Sequence, residues 1–219
     1  MLCYKNPPQS AEDKEAAMDK LYTLMISGSI PGLLLQVVPV TLLAGALYAL
    51  WRGRRLKKRG APVRWGGELL RLLFMLYLTG LVNLVLVPAN FWTWFWSLVC
   101  RGTGEEPPVL CTWEFNLVPI GLEWLAGTRT IGPWVRRMLI YNFLMFLPLG
   151  AFLALLFKRV TKGKIWGLAA LIPLGVELLQ PLMGRSFDVD DLILNFAGIL
   201  AGYFLACGLR AGVSRMRSQ

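Results

Sequence analysis

The chain has 219 residues, 56% of them hydrophobic and only 16% charged, with a mean hydropathy of +0.53. A soluble domain carries about a quarter of its residues as charged side chains; here the apolar residues come in long unbroken runs, which places the chain in a membrane. There is no histidine, so imidazole bases, phosphohistidine intermediates, His-ligated zinc or haem and histidine-dependent membrane phosphatases are excluded, and the net charge of +10 must be located before it is read as affinity for nucleic acid.

Residues 1–29 form a polar arm of mixed charge in which Ala17, Leu21, Leu24 and Met25 recur at helical spacing. This predicts an amphipathic helix near residues 11–26, lying on the membrane surface. Residues 30–219 form the membrane domain. Its apolar spans run over about 30–51, 69–87, 138–157, 165–183 and 192–209. Each is close to the roughly 20 residues a helix needs to cross the hydrocarbon, where backbone groups cannot stay unpaired. The predicted fold is all-α: a polytopic membrane helical bundle of about five transmembrane helices, with the N-terminal amphipathic helix and an external interfacial segment.

The connections orient the spans. Segment 52–64 carries Arg52, Arg54, Arg55, Lys57, Lys58, Arg59 and Arg64; segment 158–164 carries Lys158, Arg159, Lys162 and Lys164; the tail carries Arg210, Arg215 and Arg217, and none of the three contains an acid. Lys and Arg collect on the cytoplasmic side, which predicts an N-terminus outside and a C-terminus inside. The acids then fall on the outer half, Glu68 excepted. The +10 is a topology signal, possible contact with anionic headgroups aside, and nucleic acid is not an expected partner.

The long external segment over 88–137 opens with Phe91, Trp92, Trp94, Phe95 and Trp96. Such rings suit an aromatic belt at the headgroups, or a platform for a lipid or glycan. Cys100 and Cys111 bracket a stretch rich in Gly and Pro. They are candidates for a disulfide in an oxidising exterior, and two free thiols fit equally.

Three stretches put polar groups at the membrane. The first is Trp113 to Pro119, in which Asn116 and Pro119 also suit a turn. The second is Asn142, one and a half turns before Pro148, where a structural bond to another helix is the simpler role. The third holds Glu177, Gln180, Arg185, Asp188, Asp190, Asp191 and Asn195. Glu177 and Gln180 share a helix face, and Asp188, Asp191, Asn195, Gly198 and Gly202 follow a stripe whose glycines admit a close neighbour, expected to be the helix of Glu177. Asp188 and Asp190 also suit N-capping and ion pairing around Arg185. Glu177, about one turn inside its span, is where an ionisable group is expensive and marks function by default.

These motifs, Glu114-Phe-Asn-Leu-Val-Pro-Ile120, Asn142-Phe-Leu-Met-Phe-Leu-Pro-Leu-Gly150, and Glu177-Leu-Leu-Gln180 with Arg185, Asp188, Asp190, Asp191, Asn195 and Gly198, closely resemble the VanZ-like family over about residues 113–205. The resemblance implies a small multi-span membrane protein of the bacterial plasma membrane, linked to resistance to the glycopeptide teicoplanin or to envelope homeostasis. An outward-facing pocket of Asn116, Asn142, Glu177, Gln180, Arg185, Asp188, Asp191 and Asn195 is expected to bind an amphiphilic antibiotic or a lipid-linked cell-wall precursor among the membrane lipids, Arg185 pairing with an anionic group. The alternative is an enzyme on a lipid-linked diphosphate, with Glu177 and Asp191 as catalytic candidates and Mg²⁺ as a possible cofactor held by carboxylates. Transport ranks lower, because the spans show no internal repeat.

Overall fold

A computed structural model describes residues 9–26, 30–60, 63–88, 90–101 and 106–216. Helix α1 spans Gln9–Ile26, α2 Ile30–Arg59, α3 Trp65–Leu86, α4 Phe91–Arg101, α5 Ile120–Leu125, α6 Pro133–Leu156, α7 Lys164–Leu179 and α8 Val189–Met216. Five of these, α2, α3, α6, α7 and α8, are long and apolar enough to cross a membrane. Leu42, Leu43, Leu47 and Leu50 of α2 stand between 57% and 60% exposed, a face that suits lipid and not water. The chain is therefore an all-α polytopic bundle, as its sequence predicts.

The helices outrun the apolar spans. Arg, Leu and Lys are strong helix formers, so α2 continues through Arg59 and stops at Gly60, whose φ is +57° and whose N–H closes on the Lys57 carbonyl at 3.3 Å. Most of the basic connection expected over 52–64 is thus helix. The basic tail is likewise absorbed, since α8 runs unbroken past Arg210 and Arg215. Pro133 opens α6, a position where proline loses no helical bond.

Hydrogen bonds fix which helix ends lie together. At the basic end, Arg52 of α2 donates to Glu68 of α3 through Nε at 2.7 Å and Nη2 at 2.8 Å, Tyr203 of α8 donates to the Val160 carbonyl at 3.0 Å, and Arg210 donates to the Ala154 carbonyl at 3.0 Å. At the opposite end, Arg185 donates to the Leu84 carbonyl near the close of α3 at 2.8 Å. The core lies between α3, α6, α7 and α8, where Phe146, Ile165 and Ile199 are fully buried beside Leu81, Val85, Ala169 and Tyr203.

The closest seam is α6 against α8. A methyl group at Gly198 would overlap the Phe143 carbonyl, one at Gly202 the Leu147 carbonyl, and one at Gly150 the Ile199 carbonyl. The glycine stripe of α8 therefore faces α6, where the sequence pointed to α7. A smaller layer joins α1, the start of α2 and α4, burying Tyr22, Met25, Val37 and Ser97. Gln36 donates to the Met25 carbonyl at 2.5 Å, and Trp96 of the aromatic segment donates to the Gln36 carbonyl at 3.4 Å, so these aromatics pack a helix onto the bundle.

Candidate functional site

The connection between α7 and α8 carries the acidic motif, and its path is set by a 3-10 turn over Pro181–Met183 followed by Gly184 at φ +72°. A side chain at Gly184 would meet the Val109 carbonyl, so glycine is required twice over, by backbone angle and by space. The strand of chain before α5 lies along this connection. Thr112 N–H donates to the Pro181 carbonyl at 2.9 Å, Cys111 N–H to the Leu182 carbonyl at 3.3 Å, and Phe187 N–H to the Glu114 carbonyl at 2.9 Å. The contact ends in two short parallel strands, β1 (Phe115–Asn116) and β2 (Phe187–Asp188), in the register Phe115 to Phe187 and Asn116 to Asp188. The expected turn at Asn116 is thus an extended pairing, and it brings the first motif onto the third.

Each acid of the motif holds a backbone or amide donor. Asp188 Oδ1 accepts the Asp190 N–H at 2.8 Å and so caps α8, as its position at the helix start predicts. Asp190 Oδ2 accepts the Ile120 N–H at 2.8 Å and caps α5, seventy residues away in sequence. Asp188 Oδ2 accepts Asn116 Nδ2 at 3.4 Å. Asp191 Oδ1 accepts from Asn142 of α6, which ties the second motif to the third across the glycine seam. Glu177 Oε2 accepts the Asp188 N–H at 3.0 Å, and the Gln180 amide, assigned with its nitrogen toward Glu177 so that both ends find partners, donates to Glu177 Oε2 at 3.0 Å and to the Ser186 carbonyl at 3.2 Å.

In front of these groups is a cavity of about 400 Å³. Its polar lining is Asn116, Glu123, Arg129, Ser186, Asp188, Asp190 and Asp191. Its apolar lining is Phe115, Leu117, Val118, Ile120, Val135, Met138 and Leu139. Arg129 Nη1 donates to Glu123 Oε2 at 2.9 Å, and that hydrogen bond, with the charges of Asp188 and Asp190 nearby, raises the guanidinium pKa above its ordinary value.

Of the eight residues expected to bind ligand, Asn116, Asp188 and Asp191 line the cavity. Asn142 stands behind Asp191 as its hydrogen-bond donor. Glu177, Gln180 and Asn195 are buried at 0%, 5% and 3% exposure and do not reach the cavity surface. Glu177 Oε1 and Asn195 Oδ1 have no donor among the described residues, an arrangement that costs about 1–3 kcal/mol for each buried acceptor. Arg185, expected as the counter-charge, turns to the Leu84 carbonyl and makes no ion pair with the motif's carboxylates among the described residues. Burial lowers its pKa, while the charges of Asp191 and Glu177 oppose that shift. Arg129 takes its place as the cation of the site. The spacing of Glu123 and Arg129 across Gly127, at φ +70°, is the turn signal that could have exposed this pair.

No group of three or more carboxylate or thiolate side chains among the described residues is placed to hold a metal ion. Cys111 carries a free, exposed thiol, and the side chain of Cys100, its expected disulfide partner, lies outside the described residues.

A VanZ/LLP1 family model matches residues 72–210. The match begins in α3, well before the motif stretch of 113–205, and contains the whole cavity. No curated protein and no solved structure matches the chain.

Proposed function

The chain belongs to the VanZ/LLP1 family, and from that premise we propose that it confers glycopeptide resistance by holding an amphiphile in the carboxylate-lined cavity. The observation that carries this reading is the mixed lining: Asp188, Asp190, Asp191, Glu123 and Arg129 share one cavity with Val118, Ile120, Met138 and Leu139. Such a cavity suits a molecule with one polar and one apolar end, the usual pattern of small-ligand sites. Four carboxylates against one guanidinium favour an amine- or hydroxyl-bearing head over a bare diphosphate.

The protein sits in the bacterial plasma membrane with the cavity outward and the basic helix ends in the cytoplasm. The support is the charge bias: Arg52 to Arg59, Lys158 to Lys164 and Arg210 to Arg215 share one end of the bundle, and the acids of the motif gather at the other. Glycopeptides and cell-wall precursors are both available on that outer side.

In this account Asp191 and Asp188 contact the ligand head, Glu123 and Arg129 close the mouth, and Glu177, Gln180 and Asn142 position the acids. The test is growth under teicoplanin with Asp191→Asn, Glu123→Gln and Glu177→Gln expressed at matched levels. Lost resistance with normal membrane abundance supports the assignment. Full resistance in all three sinks it.

A further inference from the structure

A second cavity, of about 550 Å³, opens between α2 and α3 at the basic end of the bundle. It belongs to no part of the carboxylate site. Its lining combines two chemistries. Leu56, Leu69 and Leu72 are apolar, and Arg52, Lys57 and Glu68 are charged. Glu68 is already shared: Arg52 donates to it twice, at 2.7 and 2.8 Å, and Arg71 donates to it as well. One carboxylate between two guanidiniums leaves that triad with a positive charge, and Lys57 adds a second cation.

The cleft straddles the level where the helices leave hydrocarbon. Below it, Leu47 and Leu50 of α2 face lipid at 58% and 57% exposure; from Arg52 on, every charged residue of α2 is a cation. Trp65, the first residue of α3 and part of the cleft wall, is 79% exposed, a placement that suits the headgroup zone. Arg55 lies 5.1 Å from the Trp51 ring centre at the same level, so a further guanidinium is held beside the membrane surface.

We propose that this cleft is a binding site for one anionic phospholipid. Its phosphate lies against Lys57 and the Arg52 guanidinium, and an acyl chain runs down the wall of Leu56, Leu69 and Leu72. Charge complementarity selects the headgroup, and the apolar wall selects a membrane lipid over a soluble phosphate. The site is independent of the reading given above for the carboxylate cavity.

The full-length protein, purified in detergent, tests this by native mass spectrometry with phosphatidylglycerol and phosphatidylcholine of identical acyl chains. Wild type should retain phosphatidylglycerol about fivefold or more over phosphatidylcholine, the factor expected of each cation near an anionic headgroup. Lys57→Gln should lower that preference by about fivefold. Gly53, also in the cleft wall, has open space where a side chain would project, so Gly53→Phe plugs the cleft without altering charge. It should abolish retained phosphatidylglycerol. Glycerol phosphate at millimolar concentration should not compete. Equal retention of the two lipids by wild type, or undiminished phosphatidylglycerol on Gly53→Phe, overturns the proposal. Competition by glycerol phosphate would assign the site to free phosphate and overturn it too. If Gly53→Phe fails to fold, Lys57→Gln decides, and an unchanged lipid preference in that variant rejects the site.

Discussion

Gly202→Ala puts one methyl group into the α6–α8 seam. The added carbon would overlap the Leu147 carbonyl oxygen and lie 2.8 Å from its carbon and 3.1 Å from the Ala151 nitrogen. Heavy atoms rest at about 3.5–4.0 Å, so α6 must withdraw by roughly 2 Å to clear the Leu147 oxygen, and no flexible side-chain end is present to yield instead. Overpacking of this kind costs about 1–3 kcal/mol, about fivefold to more than a hundredfold in the folding equilibrium. The same displacement separates Asn142 from Asp191, because that bond bridges the two helices. The assay is equilibrium unfolding in mixed micelles, read by circular dichroism, with Gly208→Ala as the internal control. Gly208 is in the same helix and has nothing within 4 Å of an added carbon, so its substitution should be neutral or stabilising by about 0.5–1 kcal/mol. Equal stability of the two variants would refute the seam as the contact that holds α8 to α6.

Three further outcomes are expected. Asn142→Ala removes the donor to Asp191 and should destabilise the bundle by about 1 kcal/mol in an unfolding titration, while lowering teicoplanin resistance by more than that loss of folded protein explains. Glu123→Gln removes the charge partner of Arg129 in the cavity lining, where the guanidinium is about half exposed, so the melting temperature should hold while the binding of an amphiphile changes. Cys111, an exposed thiol beside the cavity segment, should react with a membrane-impermeant maleimide added to intact cells once Cys3 and Cys100 are replaced by Ser; labelling only after permeabilisation would reverse the proposed orientation.

The spans were legible because hydrocarbon demands long apolar runs, and the family motifs contain three of the four acids that line the cavity, Asp188, Asp190 and Asp191. The helix ends were not legible from hydropathy alone. Arg52 to Arg59 leave the membrane without leaving the helix, since helix propensity does not depend on polarity in the way that partition does. The partner of the Gly198–Gly202 stripe was misread for a related reason. A short connection makes α7 the natural neighbour of α8, but Gly150 supplies the matching small surface on α6, and its carbon-free face meets Ile199. Asp190 illustrates the limit most clearly. In sequence it is one acid of a run at a helix start; in the fold it caps α5 instead of its own helix. Glu123 and Arg129 were passed over because their pairing depends on the turn at Gly127, and neither residue interrupts an apolar span.

Photo-crosslinking reads whether the carboxylate-lined cavity holds an amphiphile. A glycopeptide carrying a photoreactive group on its apolar end would be irradiated with the protein in lipid nanodiscs, and the adducts mapped by mass spectrometry. Adducts are expected within 115–120 and 135–139, which supply the apolar lining of the cavity, reduced severalfold by Asp191→Asn and by excess unlabelled glycopeptide. Adducts spread over the lipid-facing leucines of α2, unaffected by Asp191→Asn or by competitor, would contradict it.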